Sequence, residues 1–229
     1  FGTLRNVYNF FTLYANTDDI DAAKCFVEYE KRPELDRWIL SKFNHLVEAS
    51  TAALEDYDHN TFVHLIQNFV IEDLSNWYIR RARRRFYAEG MDEDKKAVYS
   101  TTYEILVGLA KLIAPIAPFI SDEMYTKLTG EYSVHLADYP KTNEKLFDDA
   151  LEERMDLAQK VSSMVLALRR KANLKVRQPL QKMMGIAAED VTKITEWATK
   201  NAGFVSKSTS SDKRCIIACF SVCDFRNLS

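Results

Sequence analysis

The sequence has few of the features that mark several large classes of protein. Its six glycines are scattered, so it offers no loop of the kind that cradles nucleotide phosphates. No run reaches about eighteen consecutive apolar residues, the length that a membrane-spanning helix needs, and no membrane partner is expected. The first residues form neither a signal peptide nor a start with methionine, so we expect a piece of a longer protein.

Cysteine is scarce as well. Of the four cysteines, Cys25 stands alone, and Cys215, Cys219 and Cys223 lie close together near the end. This is not the paired pattern of a disulfide framework, so a reducing, cytoplasmic setting is expected. Three cysteines at four-residue steps could be suggested as metal ligands, but zinc sites normally have a fourth ligand and more closely paired cysteines. We therefore expect no metal here, and small buried apolar side chains instead.

An excess of charge of either sign is also absent. The chain has 31 Lys and Arg against 33 Asp and Glu, a net charge of −2, so any nucleic-acid site must be a local patch. Two such patches exist. Residues 74–88 contain five arginines and no acid, and residues 157–188 contain seven basic residues and no acid. The acidic run at residues 144–156 balances the total.

The pattern of apolar residues predicts a mainly α protein. Apolar residues make up 47% of the chain and aromatic residues 12%, which is enough for one large domain or slightly more. Apolar side chains recur at three- and four-residue steps, as in amphipathic helices. Helices are predicted over residues 33–57, 60–88, from 92 to the prolines at 115 and 118, from 119 or 121 to 128, and over 144–172.

The pattern changes after residue 173. Residues 174–180 contain a proline and read as extended, residues 189–202 read as a helix, and residues 215–225 read as β structure. We therefore predict a helical bundle over residues 1–180, followed by a small α/β appendage over residues 181–229.

The second predicted helix changes its apolar face near its end. Ile79, Ala82 and Phe86 lie roughly opposite the stripe of the first turns, so the last turns should pack through them and turn the five arginines outward. These guanidinium groups could bind phosphates, while Trp77, Tyr78 or Tyr87 could stack on an unpaired base. The alternative is that Trp77 and Tyr78 are core residues. Arg80 and Arg84 would then pair with Glu72, Asp73 and carboxylates of neighbouring helices.

A second basic segment follows the last predicted helix. Part of its charge can be explained by cations that stabilise a helix C-terminus. Lys175, Arg177 and Gln178 lie beyond that terminus, however. On an extended segment, Lys175 and Arg177 would point the same way and Gln178, whose amide can pair with base edges, the other way.

Five segments occur in the order seen in isoleucyl-tRNA synthetases. They are residues 32–41 (RPELDRWILS), 74–81 (LSNWYIRR), 113–119 (IAPIAPF), 133–140 (SVHLADYP) and 175–180 (KVRQPL). The chain resembles the anticodon-binding region of that family over about residues 1–185. The first and third segments are shared with valyl and leucyl relatives, whereas the second and fifth are typical of isoleucyl enzymes. The tail from about residue 186 departs from the family pattern.

The resemblance implies a helical bundle that binds the anticodon stem-loop of isoleucine tRNA, with a smaller domain that reaches toward the loop. The site residues that it implies are Trp77, Arg80, Arg81, Arg84 and Arg85 in the bundle and Lys175, Arg177 and Gln178 downstream. In that family, activation of isoleucine with ATP and Mg²⁺ belongs to a Rossmann domain that precedes this region. The resemblance therefore implies a catalytic domain of the same chain as a further partner, and no catalytic residue or cofactor in this part.

The catalytic motifs of that family are missing from this sequence. None of the four histidines lies in a Gly-His context. Residues 205–208 (VSKS) resemble the end of the family's lysine loop, but they lack the leading lysine and lie downstream of the bundle. We interpret them as a polar turn. Two other functions stay open, namely a helical module that binds RNA without preference for one tRNA, and a scaffold domain whose arginines bind acidic proteins.

Overall fold

The first 152 residues form a bundle of helices. The computed structural model describes residues 1–21, 24–171, 173–175, 182–184 and 215–217. Contacts within the chain divide it into two units after Glu152. The predicted boundary near residue 180 lies outside the described residues.

Helices account for most of the described chain, which confirms the predicted mainly α fold. The helices are α1 (Gly2–Thr17), α2 (Glu34–Glu55), α3 (His59–Asn68), a π-helix (Phe69–Ile79), α4 (Arg80–Tyr87), α5 (Glu93–Ile113), α6 (Pro118–Thr129) and α7 (Asp149–Lys171). Short 3₁₀ turns occupy Tyr29–Lys31, Val134–Leu136 and Glu144–Leu146.

Several of the predicted helix ends are confirmed by their local chemistry. The Asp92 side chain accepts a hydrogen bond from the backbone N–H of Lys95 at 2.7 Å and so caps α5. Helix α6 ends before Gly130 as predicted, and the φ of +75° at this position favours glycine. It begins at Pro118, slightly earlier than predicted, because proline is tolerated in the first turn of a helix. The last predicted helix begins at Asp149, later than expected, because a 3₁₀ turn precedes it.

Helix α1 lies in a region for which no element is predicted. Phe1 offers no side-chain cap, and the first turn of the helix has no acidic residue, so the usual signals of a helix start are missing. Its buried residues are Leu4, Val7, Phe11 and Ala15. This three- and four-residue spacing is the one sequence signal that indicates the helix.

Helix α5 is at the centre of the bundle and contacts α1, α2, α4 and α6. Its residues are buried on more than one side, as expected for a helix with neighbours all around it. Gly108 allows α2 to approach closely, since a Cβ atom there would lie 2.5 Å from the ring of Phe43. A glycine that was only one of six scattered glycines in the sequence therefore has a packing role.

The segment from His59 to Tyr87 is one continuous helix, here called the arginine helix, whose middle third is the π-helix. Besides Phe62, Phe69 and Ile79, its buried side chains include a stripe that recurs every four residues, namely Val70, Leu74, Tyr78, Ala82 and Phe86. In an uninterrupted α-helix, positions four residues apart rotate by about 40° at each step, which would carry this stripe around the helix. The wider turn of the π-helix reduces this drift, so the stripe stays against the core. The predicted packing through Ile79, Ala82 and Phe86 is confirmed.

A buried lysine connects the end of the arginine helix to α1. The ammonium group of Lys95 donates to the carbonyl of Ala88 at 2.7 Å and forms an ion pair with Asp18 at 2.8 Å. Tyr99 also donates its hydroxyl to Asp18, at 2.6 Å. Although burial acts to raise the pKa of Asp18, the hydrogen bonds from Lys95 and Tyr99 outweigh it and lower that pKa below 3.8.

We expect Asp18→Asn to lower the free energy of unfolding at pH 7 by about 1–3 kcal/mol, because Lys95 loses its counter-ion. The pKa of Asp18 is lower in the folded protein than its value of 3.8 in the unfolded chain, so the ionised carboxylate stabilises the fold at pH values above 3.8. This contribution is lost as the pH falls through the pKa of the folded protein. Urea unfolding at pH 7 and at about pH 3 checks this. The difference in stability between the two proteins should be smaller at pH 3 than at pH 7; an equal difference at both pH values would contradict the ion pair.

The described residues beyond α7 include a short parallel sheet. Its strands, β1 (Lys182–Met184) and β2 (Cys215–Ile217), pair in register from Lys182 with Cys215 to Met184 with Ile217. Strand β2 begins the run predicted as β structure, and the rest of that run lies outside the described residues, as does the predicted helix over residues 189–202. Across the described ranges, no helix has the length and apolarity to cross a membrane.

Candidate nucleic-acid interface

Three arginines of α4 extend into solvent. Arg80, Arg83 and Arg84 are exposed, and none of them forms a hydrogen bond or an ion pair with another residue in the part of the chain that the structure describes. Glu72, one of the acids weighed as a partner, instead accepts a hydrogen bond from Asn76 at 3.3 Å. Three unneutralised guanidinium groups on one face can form bidentate contacts with phosphates.

The prediction that all five arginines face outward is wrong for Arg85, which points inward and binds acids from two other helices. It donates to both carboxylate oxygens of the buried Asp36, at 2.6 and 2.7 Å, and to Asp94 at 2.9 Å. Although burial acts to lower its pKa, the hydrogen bonds and charge of Asp36 raise the pKa of Arg85 above its ordinary value. Its donors are therefore engaged inside the protein, which leaves little of Arg85 for an external phosphate.

Trp77 and Arg81 form a cation–π pair beside these arginines. The central guanidinium carbon of Arg81 lies 3.1 Å from the centroid of the Trp77 ring. Both side chains are half-buried, and the indole Nε1 of Trp77 is buried with no hydrogen-bond partner among the described residues. Burial, and then the charge of Arg80, lower the pKa of Arg81 to about 10.

Tyr78 and Tyr87, both considered as base-stacking residues, have different environments. Tyr78 is fully buried and donates its hydroxyl to Asp36 at 2.9 Å, so it belongs to the core. Tyr87 is 53% exposed, and its ring centroid lies 5.1 Å from that of Tyr14 on α1. Tyr14 is close enough to Arg83 for the two to interact electrostatically. The exposed ring of Tyr87, backed by the partly exposed Tyr14 and close to Arg83, is a suitable surface for an unpaired base.

The predicted site residues leave out two members of this surface. Arg83 belongs to the same run as its neighbours but is absent from the predicted site residues, although it is exposed, as Arg80 and Arg84 are. Tyr14 lies on a helix for which no element is predicted. The signal for Arg83 was available in the sequence, since an arginine four residues before Tyr87 lies on the same helix face.

The downstream part of the predicted site is described only at its first residue. Lys175 is exposed, and its backbone carbonyl accepts a hydrogen bond from Arg169 at 2.9 Å. Arg177 and Gln178 lie outside the described residues. No group of three or more potential metal ligands is found within the described ranges.

Comparison with known proteins identifies the family. Residues 36–184 match the family model described as the anticodon-binding domain of tRNA ligase, which is more than half of the chain. The chain belongs to this family. The resemblance to isoleucyl-tRNA synthetases is confirmed by curated relatives whose sequences align with most of this chain.

Three such relatives of this anticodon-binding domain are named isoleucine–tRNA ligase. The protein of Porphyromonas gingivalis is 50% identical over 191 residues, that of Bacteroides fragilis 48% over 199, and that of Thermus thermophilus 44% over 186. The aligned parts cover 83%, 84% and 79% of this chain, but only 17%, 17% and 18% of the relatives. The anticodon-binding domain thus spans about one sixth of the length of these proteins.

Proposed function

We propose that this chain is the part of an isoleucine–tRNA ligase that binds the anticodon stem-loop of isoleucine tRNA. The parent enzyme would activate isoleucine with ATP and Mg²⁺ in a separate catalytic domain and transfer it to the tRNA. The uneven distribution of the cysteines supports a cytoplasmic setting. The chain itself contributes RNA binding and no catalytic chemistry.

The observation that carries this proposal is the set of exposed arginines on α4 that have no hydrogen bond or ion pair with a described residue. Surface helices of ordinary domains intersperse charges of opposite sign. Like charges about one helical turn apart, such as those of Arg80 and Arg84, destabilise an isolated helix. The repulsion between the exposed guanidinium groups of Arg80, Arg83 and Arg84 is unfavourable unless an anion binds to them. In an anticodon-binding domain, the RNA backbone supplies that anion.

Each proposed contact has a chemical role. Arg80 and Arg84 bind phosphates of the stem-loop, and Arg81 and Trp77 extend the surface on one side. Tyr87 stacks on an unpaired base of the loop, since its ring is exposed beside Arg83. Downstream, Lys175, Arg177 and Gln178 reach the loop, a proposal supported by the exposure of Lys175 and by the family resemblance.

A binding titration tests the proposal. We expect the chain to bind an isoleucine tRNA transcript more tightly than two other tRNAs, with an affinity that falls steeply as KCl is raised. The same preparation should show no isoleucine-dependent pyrophosphate exchange. Equal affinity for all three tRNAs would favour a general RNA-binding module. Failure to shift in a gel at low salt would favour an acidic protein partner and contradict the proposal.

A further inference from the structure

Two arginines of the same helix, four residues apart, are both partly withdrawn from solvent, but among the described residues only Arg85 has an acidic partner. Arg85 binds Asp36 and Asp94. Arg81 is half-buried against Trp77 and has no acidic partner among the described residues. A guanidinium group that is partly desolvated without a counter-ion is unfavourable unless a ligand supplies the missing negative charge.

We propose that Arg81 binds a phosphate of the RNA backbone through the edge of its guanidinium group, and that Trp77 is a positioning residue that holds this group in place. The inference rests on the proposed function. It assigns Trp77 a role different from stacking on an RNA base.

The geometry of the pair supports these roles. With 3.1 Å between the guanidinium carbon and the ring centroid, the indole of Trp77 interacts with Arg81 at the guanidinium carbon. The N–H bonds of Arg81 lie in the plane of its guanidinium group. An indole that contacts one face of this group therefore leaves the N–H bonds free, and a phosphate can accept hydrogen bonds from two of them. The one internal contact, from Arg81 to the carbonyl of Trp77, is long at 3.5 Å. Arg81 therefore keeps free donors in a fixed plane.

The electrostatic environment supports an anion at this point. Burial and the neighbouring Arg80 lower the pKa of Arg81 to about 10, which leaves the group charged at pH 7 but without compensation. Arg84 is exposed on the next turn. A phosphate beside Arg81 would thus also interact with the positive charges of Arg80 and Arg84, and it would reduce the repulsion among the three guanidinium groups.

Trp77 is poorly placed to stack on a base itself. Arg81 covers the indole at 3.1 Å, the ring is half-buried, and its Nε1 is buried rather than presented to solvent. Its effect on RNA binding should therefore pass through Arg81. This coupling separates a positioning residue from one that contacts RNA.

A double-mutant cycle on the full chain tests the inference, with the anticodon stem-loop RNA of isoleucine tRNA as the probe. We expect Arg81→Met to weaken binding about tenfold and to reduce the slope of log affinity against log salt by about one. Trp77→Leu should weaken binding several-fold, and the double variant should bind no more weakly than Arg81→Met alone. Arg81→Lys should keep the slope but lose affinity, because ammonium cannot bind bidentately or stack in the same way.

Other outcomes are equally informative. Additive losses for Trp77→Leu and Arg81→Met would show that Trp77 contacts RNA directly, and would overturn its positioning role. Wild-type binding by Arg81→Met would overturn the phosphate contact while the proposed function stands, provided that the wild-type chain binds the stem-loop. If Trp77→Leu does not fold, Trp77→Phe keeps an aromatic face and should retain most of the affinity, whereas a loss as large as that of Arg81→Met would contradict the inference.

Discussion

Replacing Arg80 and Arg84 with glutamate should abolish tRNA binding while the bundle stays folded. Two phosphate contacts are lost and two repulsive charges take their place, so we expect an affinity loss of about a hundredfold or more at physiological salt. Both side chains are exposed and have no hydrogen bond or ion pair with a described residue, so the fold does not depend on them. Gel-shift titration and far-ultraviolet circular dichroism measure the two effects.

A matched control separates a local contact from a change in overall charge. Lys141 and Lys145 are exposed and precede α7. Their replacement by glutamate changes the net charge by the same amount, and it should weaken binding only slightly. Equal losses in the two double variants would mean that the arginines form no specific contact. Unfolding of the Arg80/Arg84 variant would show that these side chains hold the bundle together.

Replacing Asp36 with alanine should destabilise the protein more than any surface change. Asp36 is fully buried and accepts hydrogen bonds from Tyr78 and from both terminal nitrogens of Arg85. Without Asp36, the largely buried guanidinium group of Arg85 has one acidic partner fewer, and the buried hydroxyl of Tyr78 loses the carboxylate that accepts its hydrogen bond. We expect the free energy of unfolding to fall by about 3–5 kcal/mol, measured by urea denaturation.

A compensated variant provides the control for this prediction. Replacing Asp36 with leucine, Arg85 with methionine and Tyr78 with phenylalanine removes all three polar partners together, so no buried group is left without a partner. Much of the lost stability should return, since replacing a whole buried polar set by apolar groups is often nearly neutral. If Asp36→Ala alone stays within about 0.5 kcal/mol of wild type, the buried network contributes little to folding.

Much of the bundle could be predicted from local signals in the sequence. Asp92, Pro118 and Gly130 act at helix ends through their own side chains or backbone conformation, and these effects need no knowledge of the tertiary structure. The burial of Ala82 and Phe86 also followed from helical periodicity. In contrast, α1 has no capping signal, so the spacing of its apolar residues is its one local signal, and these residues pack against the rest of the bundle.

The fate of each arginine could not be predicted locally. Arg84 and Arg85 are adjacent and chemically identical, yet one is exposed and the other is bound to Asp36, which lies 49 positions earlier in the chain. The same long-range acid draws Tyr78 into the core. The π-helix was equally hidden, because residues 69–79 have no local feature that distinguishes them from an α-helix. Sequence alone therefore located the basic surface but not which of its members face outward.

The most direct test of the exposed arginine face is the salt dependence of stem-loop binding. Each phosphate contact contributes about one to the slope of log affinity against log salt. We predict that Arg80→Gln with Arg84→Gln makes this slope shallower by about two relative to wild type, while Lys141→Gln with Lys145→Gln leaves it unchanged. Identical slopes for wild type and the arginine variant would show that RNA binds elsewhere on the chain.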